Sequence, residues 1–378
     1  MHYLNNAGAG LMSNKTLESV IQHMKNELQF GPYGAAQMVK DLLDDLYAVA
    51  GRVLGTSSDT ISMHDSASRA WNAALYGADL HPGDEIVTLS SEFGTNLVSI
   101  FHYAKRIGAQ VYVVPCEVNG AFALEKVESR VAKGAALIAL SHVAAHGSII
   151  NPVKEIGEIA KKHGAKYMID GCQAIGQLPV DVSSFNCDVY TCSGRKWLRG
   201  PRGTAFLHVR KGAVFQTPQV DLASADLSFD STGRVKGVDI RKDGKQFELW
   251  ERNVANFLGL RTALLSYLEL DVEKLSRNIE LKGNVLRRAV TSNPNLRLIG
   301  NDSSLSGVVG FITENSSRED AMKHALDAAG IVYSTMADWD CPLHFPRGDS
   351  TKIFRLSPHY YTPDETIEHT ESTILDFS

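Results

Sequence analysis

Cysteines are few, and none forms a CxxC pair: Cys116, Cys172, Cys187, Cys192 and Cys341 are odd in number and unevenly spaced. That pattern argues against a disulfide framework and a cysteine-based zinc site, leaving reduced, buried thiols as the expectation. No metal site is expected. No uninterrupted apolar run approaches the length of a membrane span. The opening MHYLNNAGAGLMS has neither the basic start nor the apolar core of a secretion signal, so a soluble cytoplasmic protein is expected. A cationic excess is also missing, with 38 Lys and Arg against 43 Asp and Glu, a net charge of −5. Nucleic acid and anionic membranes are therefore not expected partners, because such binding is driven mainly by neutralising phosphates. Any anion site must be local. The sequence shows no internal repeat, no low-complexity tract and no glycine-rich phosphate loop ending in Gly-Lys-Ser/Thr.

What is present is an ordinary globular composition, 44% hydrophobic and 21% charged over 378 residues, long enough for two domains. EIVTLSS, QVYVVPC, AALIALSHV, AKYMIDG, DVYTCSG and GTAFLHV are short apolar runs, most without polar alternation, as in strands covered on both faces. Helical stretches lie between several of them. VKEIGEIAKKH sets Val153, Ile156, Ile159 and Ala160 on one stripe, and SASRAWNAALYGADL starts at a capping Ser66. This alternation predicts an α/β fold with a mainly parallel, doubly wound sheet. After about Asp221 the segment DLASADLSFDSTGRVKGVDIRKDGKQ reads as an irregular connection. Helices and strand-like pieces then alternate to the end, giving a smaller α+β domain. The expected division is a large domain over 15–255 and a small one from 1–14 and 256–378.

Three local patterns carry chemistry. In MIDGCQAIG, Asp170 ends a strand where open α/β sheets place ligand groups; a helix-capping role is the alternative. In CSGRKWLRGPRG, burial and the neighbouring Arg195, Arg199 and Arg202 would disfavour the ammonium form of Lys196 and make it nucleophilic. A solvated basic turn is the alternative there. In HDSASRAW, the helix start at Ser66, Ala67 and Ser68 is either a phosphate cradle or an ordinary cap. Aspartate, lysine and anion-binding helix start together suggest pyridoxal 5′-phosphate, whose ring nitrogen, aldehyde and phosphate need those three partners.

SHVAAHGSIINPVKEIGEIAKKHGAKYMIDGCQAIGQLPVDV, followed by CDVYTCSGRKWLRGPRGTAFLHV, resembles the class V aminotransferase family of fold type I pyridoxal-phosphate enzymes. The likeness runs from YLNNAGAGLMS to FRLSPHYYTPDET. It implies that Lys196 is the Schiff-base lysine and moves the Cα proton, that Asp170 pairs with the ring nitrogen, and that Gln173 bonds the phenolic oxygen. It also implies phosphate contacts from Ser66, Ala67, Ser68 and Ser193, and a substrate-carboxylate clamp at Arg355. Asn5, Asn6, Ala7 and Gly8 would line the substrate entrance, and the assembly would be a homodimer binding a small amino-acid substrate.

Departures from the family bear on the reaction. Cysteine desulfurases of this class carry histidine where this chain has Phe93, and again where it has Arg195, a cation suited to phosphate. Phe93 can stack on a ring but cannot shuttle protons. Trp250 and Glu251 stand where many members carry a Gly-Thr that reaches the partner subunit's phosphate. These features resemble the subgroup of isopenicillin N epimerase-like proteins and ergothioneine-pathway C–S lyases, where a residue at the place of His146 contacts cofactor or substrate. Cys341 falls near the persulfide-forming cysteine of desulfurases. The implied activity is a lyase cleaving the Cβ–S bond of a cysteine S-conjugate or sulfoxide. Aminotransferase, epimerase and desulfurase chemistry are the alternatives on the fold, and a cofactor-free scaffold is the non-enzyme alternative.

Overall fold

The computed structural model describes residues 1–117, 120–345 and 351–378. Seven strands form one sheet: β1 (Ile61–His64), β2 (Glu85–Leu89), β3 (Gln110–Val114), β4 (Leu137–Ser141), β5 (Lys166–Asp170), β6 (Val189–Ser193) and β7 (Ala205–Val209). Their order is β1-β7-β6-β5-β4-β2-β3. Only β7 runs against the rest, since it pairs antiparallel with both β1 and β6 while the other neighbours pair in parallel. The sheet is thus mainly parallel, as the uninterrupted apolar runs predict.

The helices around it are α1 (Asn14–Phe30), α2 (Lys40–Leu54), α3 (Ala67–Tyr76), α4 (Gly94–Ile107) and α5 (Val153–His163). Alternate residues of each strand feed two cores. Ile138, Leu140, Ile169, Tyr190 and Phe206 face a layer that contains α2 and α5. Leu137, Ala139, Met168, Val189 and Leu207 face α3 and α4. Helices cover both faces, so the fold is the doubly wound α/β arrangement of fold type I. Each fully buried Leu or Ile contributes about 1.5–3 kcal/mol.

The next helix, α6 (Val254–Leu268), packs on α1 and α2, and its Leu258, Leu260 and Leu264 join the first core. It therefore stands with the large sheet, one helix beyond the expected boundary at 255. A second sheet follows, with β8 (Leu296–Ile299), β9 (Val309–Thr313), β10 (Ser334–Met336) and β11 (Ile353–Leu356) in the order β8-β9-β11-β10, all antiparallel. The N-terminal strand His2–Tyr3 pairs with Ile331–Val332, and Asn5 bridges to Ser357, so both chain ends meet at this sheet.

One expectation is overturned. The segment expected to be irregular contains an antiparallel hairpin, Ala225–Phe229 with Val235–Ile240. Its turn is closed by Asp230 Oδ1, which accepts from Thr232 N, Thr232 Oγ1 and Arg234 N, and by Gly233 at φ 81°. Leu227, Phe229, Val235 and Val238 stay exposed, so no core face marked these strands in the sequence. Among the described residues, no helix is long and apolar enough to cross a membrane.

Candidate active site

Strand ends and two helix starts converge on one cavity of about 360 Å³. Asp170 ends β5, Ser193 ends β6, Asp65 and Ser66 follow β1, and Thr204 directly precedes β7. This is the place where a parallel sheet directs its loops toward a ligand. Ala67, Ser68, Phe93, Arg195 and Lys196 complete most of the expected lining.

Lys196 lies in the turn after β6, half-buried and lining the cavity. Burial lowers its pKa from the ordinary value, and the Arg195 and Arg355 cations act in the same direction against Cys172 and Asp170. The free amine is thus favoured, as a nucleophile or base requires. Its Nζ makes no hydrogen bond to a described residue.

Asp170 is held by three donors: Asn96 Nδ2 to Oδ2 at 2.8 Å, Cys172 N to Oδ1 at 2.9 Å and Thr191 Oγ1 to Oδ1 at 3.3 Å. Gly171 permits this arrangement, because a Cβ there would sit 2.0 Å from the Tyr190 ring. At the opposite end Ser66 Oγ accepts from Arg69 N at 3.3 Å and so caps α3. The N–H groups of Ala67 and Ser68 belong to the first turn, which has no intrahelical acceptor, and the dipole there favours an anion. Arg195 and Arg202 also line the cavity, and neither is ion-paired with a carboxylate among the described residues. The cavity therefore joins an acidic partner, an uncommitted amine and an anion-binding helix start. Those are the groups pyridoxal phosphate requires, and the residues present fit it.

The basic stretch around Lys196 divides its labour. Arg195 donates to Gly8 O, tying the N-terminal segment to the cavity wall. Arg199 instead donates to Leu11 O at 2.7 Å and Tyr360 Oη at 2.8 Å, and lies 4.1 Å over the Tyr361 ring.

Several other expected residues do not line the cavity. Gln173 is buried and donates to Ala7 O at 3.0 Å while accepting from Trp197 Nε1 at 2.8 Å. Asn6 donates to Ser357 O at 2.7 Å and accepts from Tyr361 Oη, and Ala7 N donates to Ser357 Oγ at 2.9 Å. Asn6 and Ala7 pin the chain's start to its end, while Gly8 O accepts from Arg195. Trp250 is 61% exposed, with its backbone N donating to Asp221 Oδ2. His146 is buried against His344, Nε2 to Nδ1 at 3.0 Å, and burial with the His344 and Arg355 charges lowers its pKa to about 3. A neutral imidazole follows.

Arg355 is buried, with Nη1 donating to Ala145 O at 2.8 Å and Nε donating to Ser334 Oγ at 3.0 Å. Burial lowers it to about 10, and it has no carboxylate partner among the described residues. Cys341 is 0% exposed in a cluster with Ala145, Ile299, Met336 and Ile353, against which Phe93 packs. Burial and the Asp340 and Asp338 carboxylates raise its thiol to about 12, so it stays protonated at neutral pH.

Sequence reasoning missed Asp65, Asn96, Cys172, Gly203 and Thr204, which line the cavity, and Glu92 behind it. Asn96 lies three residues beyond Phe93 on the first turn of α4, and that helical spacing was the signal available.

The model of the family described as aminotransferase class-V matches residues 2–369. A probable cysteine desulfurase of Methanothermobacter thermautotrophicus is 25% identical over 339 residues, covering 87% of this chain and 82% of that protein. A cysteine desulfurase of Shigella sonnei is 30% identical over 237 residues, 62% of this chain and 57% of that one. Among solved structures, a complex of a cystine C–S lyase with its reaction product cysteine persulfide has a TM-score of 0.87 at 24% identity, covering 100% of this chain and 97% of that one. The same score, at 23% identity and the same coverage, holds for a lysine-to-alanine mutant structure with glycine covalently linked to the PLP cofactor. The structural likeness carries the fold, and the family match carries membership: this chain belongs to the class V aminotransferases and is a pyridoxal-phosphate-dependent enzyme.

Proposed function

We propose that the chain is a lyase that cleaves the Cβ–S bond of a cysteine S-conjugate or its sulfoxide by α-proton removal and β-elimination. Support for C–S chemistry comes from relatives named as cysteine desulfurases and from a fold neighbour named as a cystine C–S lyase. The observation that carries elimination without an enzyme thiol is the environment of Cys341, sealed in a hydrophobic cluster outside the cavity with its thiol raised to about 12. Phe93 and Arg195, standing where desulfurases carry histidines, agree with the lyase subgroup.

In this reading Asp170 would pair with the ring nitrogen, and Lys196, which would hold the cofactor's aldehyde before substrate arrives, would be freed when the substrate amine takes its place. Ala67 N, Ser68 N and the Ser66, Ser68 and Ser193 hydroxyls would hold the phosphate, with Arg195 and Arg202 as its cations. Pyridoxal phosphate, when bound, supplies an electron sink for the pair left at Cα. Arg355 clamps the substrate carboxylate in a bidentate pair, a partner for a buried guanidinium that lacks one. Lys196 accepts the Cα proton, which its lowered pKa allows. The Cβ–S bond breaks with its electrons on sulfur, the sulfur fragment picks up a proton, and the released enamine hydrolyses to pyruvate and ammonia. Phe93, which lines the cavity, would help exclude water from it.

We also infer a homodimer. Leu17, Met24 and Leu28 recur on one side of α1 and stay exposed, as do Leu227, Phe229 and Val235 of the hairpin, and a second copy would cover such apolar surface. Light scattering reads the assembly directly, and a monomer at micromolar concentration would remove it. Pyruvate release from a panel of cysteine conjugates tests the lyase reading; exchange of amino groups with 2-oxo acids and no pyruvate would overturn it. Desulfuration is the second reading, favoured by the names of the relatives. It requires a reactive thiol, and a Cys341→Ser variant with full activity removes it.

A further inference from the structure

Behind the cavity wall lies a second carboxylate. Glu92 is 1% exposed and accepts four hydrogen bonds, from Phe93 N at 2.9 Å, Asn96 Nδ2 at 2.9 Å, Ser141 N at 2.5 Å and Ser141 Oγ at 2.5 Å. No cation is ion-paired with it among the described residues. Burial raises its carboxyl to about 7, against the Ser141 and Asn96 donors, which favour the ionised form. A buried carboxylate without a cation is costly and needs every one of those donors.

The link to the site is Asn96. Its Nδ2 donates both to Glu92 Oε1 at 2.9 Å and to Asp170 Oδ2 at 2.8 Å. Both amide hydrogens are thereby committed, and they go to two different carboxylates. Turning the amide over would set its oxygen against both, placing acceptor against acceptor. Glu92 thus fixes which face of Asn96 meets Asp170. Asn96 in turn occupies one side of Oδ2, while Cys172 N and Thr191 Oγ1 occupy Oδ1. The lone pairs of Asp170 left for a ligand are those this chain of bonds leaves open.

We propose that Glu92 is a positioning residue for the cofactor's ring nitrogen, acting through the Asn96 amide to hold Asp170 in its binding orientation. The inference rests on the reading of Asp170 as the ring-nitrogen partner. Glu92 itself does not line the cavity, and Asn96 does.

The test is a double-mutant cycle on cofactor affinity, with Glu92→Gln, Asn96→Ala, the double variant and Asp170→Asn as reference. Pyridoxal phosphate is titrated into apo-protein, its dissociation constant read from tryptophan fluorescence, and the pH midpoint of the bound visible band read by absorbance. Circular dichroism melts report folding of each variant. The expected result is a rise in Kd of about tenfold in Asn96→Ala and in Glu92→Gln, about 1.4 kcal/mol each. In the Asn96→Ala background, Glu92→Gln is expected to change Kd less than about twofold and to leave the band's midpoint where Asn96→Ala alone puts it. Additive effects, or a Kd and midpoint unmoved in either single variant, overturn the proposal. If Glu92→Gln does not fold, Asn96→Ala alone decides it, since an unchanged midpoint there breaks the link. Should Asp170→Asn leave both readouts unchanged, the assignment of Asp170 itself fails. A shift in Asp170→Asn without one in Asn96→Ala fails only the positioning role.

Discussion

Lys196 is half-buried at the cavity wall and Cys341 fully buried, and desolvation does opposite things to them. Desolvation disfavours the charged form of each. For the lysine the charged form is the unreactive one, so burial favours the nucleophilic amine; for the cysteine it is the reactive thiolate, so burial leaves an inert thiol. Location completes the contrast. Lys196 faces a cavity with an uncommitted amine, whereas Cys341 is packed among Ala145, Ile299 and Met336. Two groups that sequence places in reactive-looking motifs are separated by whether a cavity reaches them.

The largest effect expected from breaking this contrast is at the lysine. Lys196→Ala should lose the visible band of the bound cofactor and lower kcat by at least about 10²-fold, the scale of a lost general base. Absorbance and steady-state assays check this, and a variant that keeps the band would return the lysine to the solvated-turn reading. Next is Arg355→Lys, which keeps the charge but loses the paired donors. KM should rise roughly 10–100-fold with a smaller change in kcat, from the loss of about 1.5–3 kcal/mol of charged hydrogen bonding.

Burial away from the cavity should also be visible in stability. His64, His142 and His208 are lowered to about 4 and His146 and His359 to about 3, each first by burial. The unfolded chain takes up these protons near the ordinary value of 6.5 and the folded chain does not. Their contribution is therefore complete above about pH 6.5 and lost as pH falls through that value, toward about 4 for three of them and about 3 for His146 and His359. Glu92, raised to about 7, and Glu248, also raised by burial, contribute in the opposite sense. Urea unfolding should show at least about 2 kcal/mol less stability at about pH 5 than at about pH 7. A flat profile would show that these imidazoles are not held neutral.

The smallest effect sharpens the cysteine side. Native protein treated with iodoacetamide at about pH 8, where an ordinary thiol begins to ionise, should leave Cys341 unmodified by peptide mass mapping. Cys116, the one partly exposed thiol among the described residues, should react slowly. Cys341 should react only after unfolding.

The sequence made the centre of the site legible because Asp170, Ser193 and Ser66 lie at strand ends or a helix start, where local pattern determines position. Lys196 was legible for the same reason. Gln173, Asn6 and His146 were not, because their partners Trp197, Tyr361 and His344 come from distant segments that only the folded chain brings near. The same holds for Glu92 and Ser141, which meet across neighbouring strand ends. The hairpin at Ala225–Phe229 escaped because its strands bury no continuous face, and a period of two has meaning only against a core.

The central claim is that Lys196 performs the proton transfer while Cys341 stands aside. Pyruvate release from a cysteine S-conjugate, measured in the wild type and in Cys341→Ser, tests it most directly. Equal rates within about twofold are predicted, the scatter of a substitution outside the reacting centre. A loss of about tenfold or more in Cys341→Ser, with the visible cofactor band intact, would contradict it.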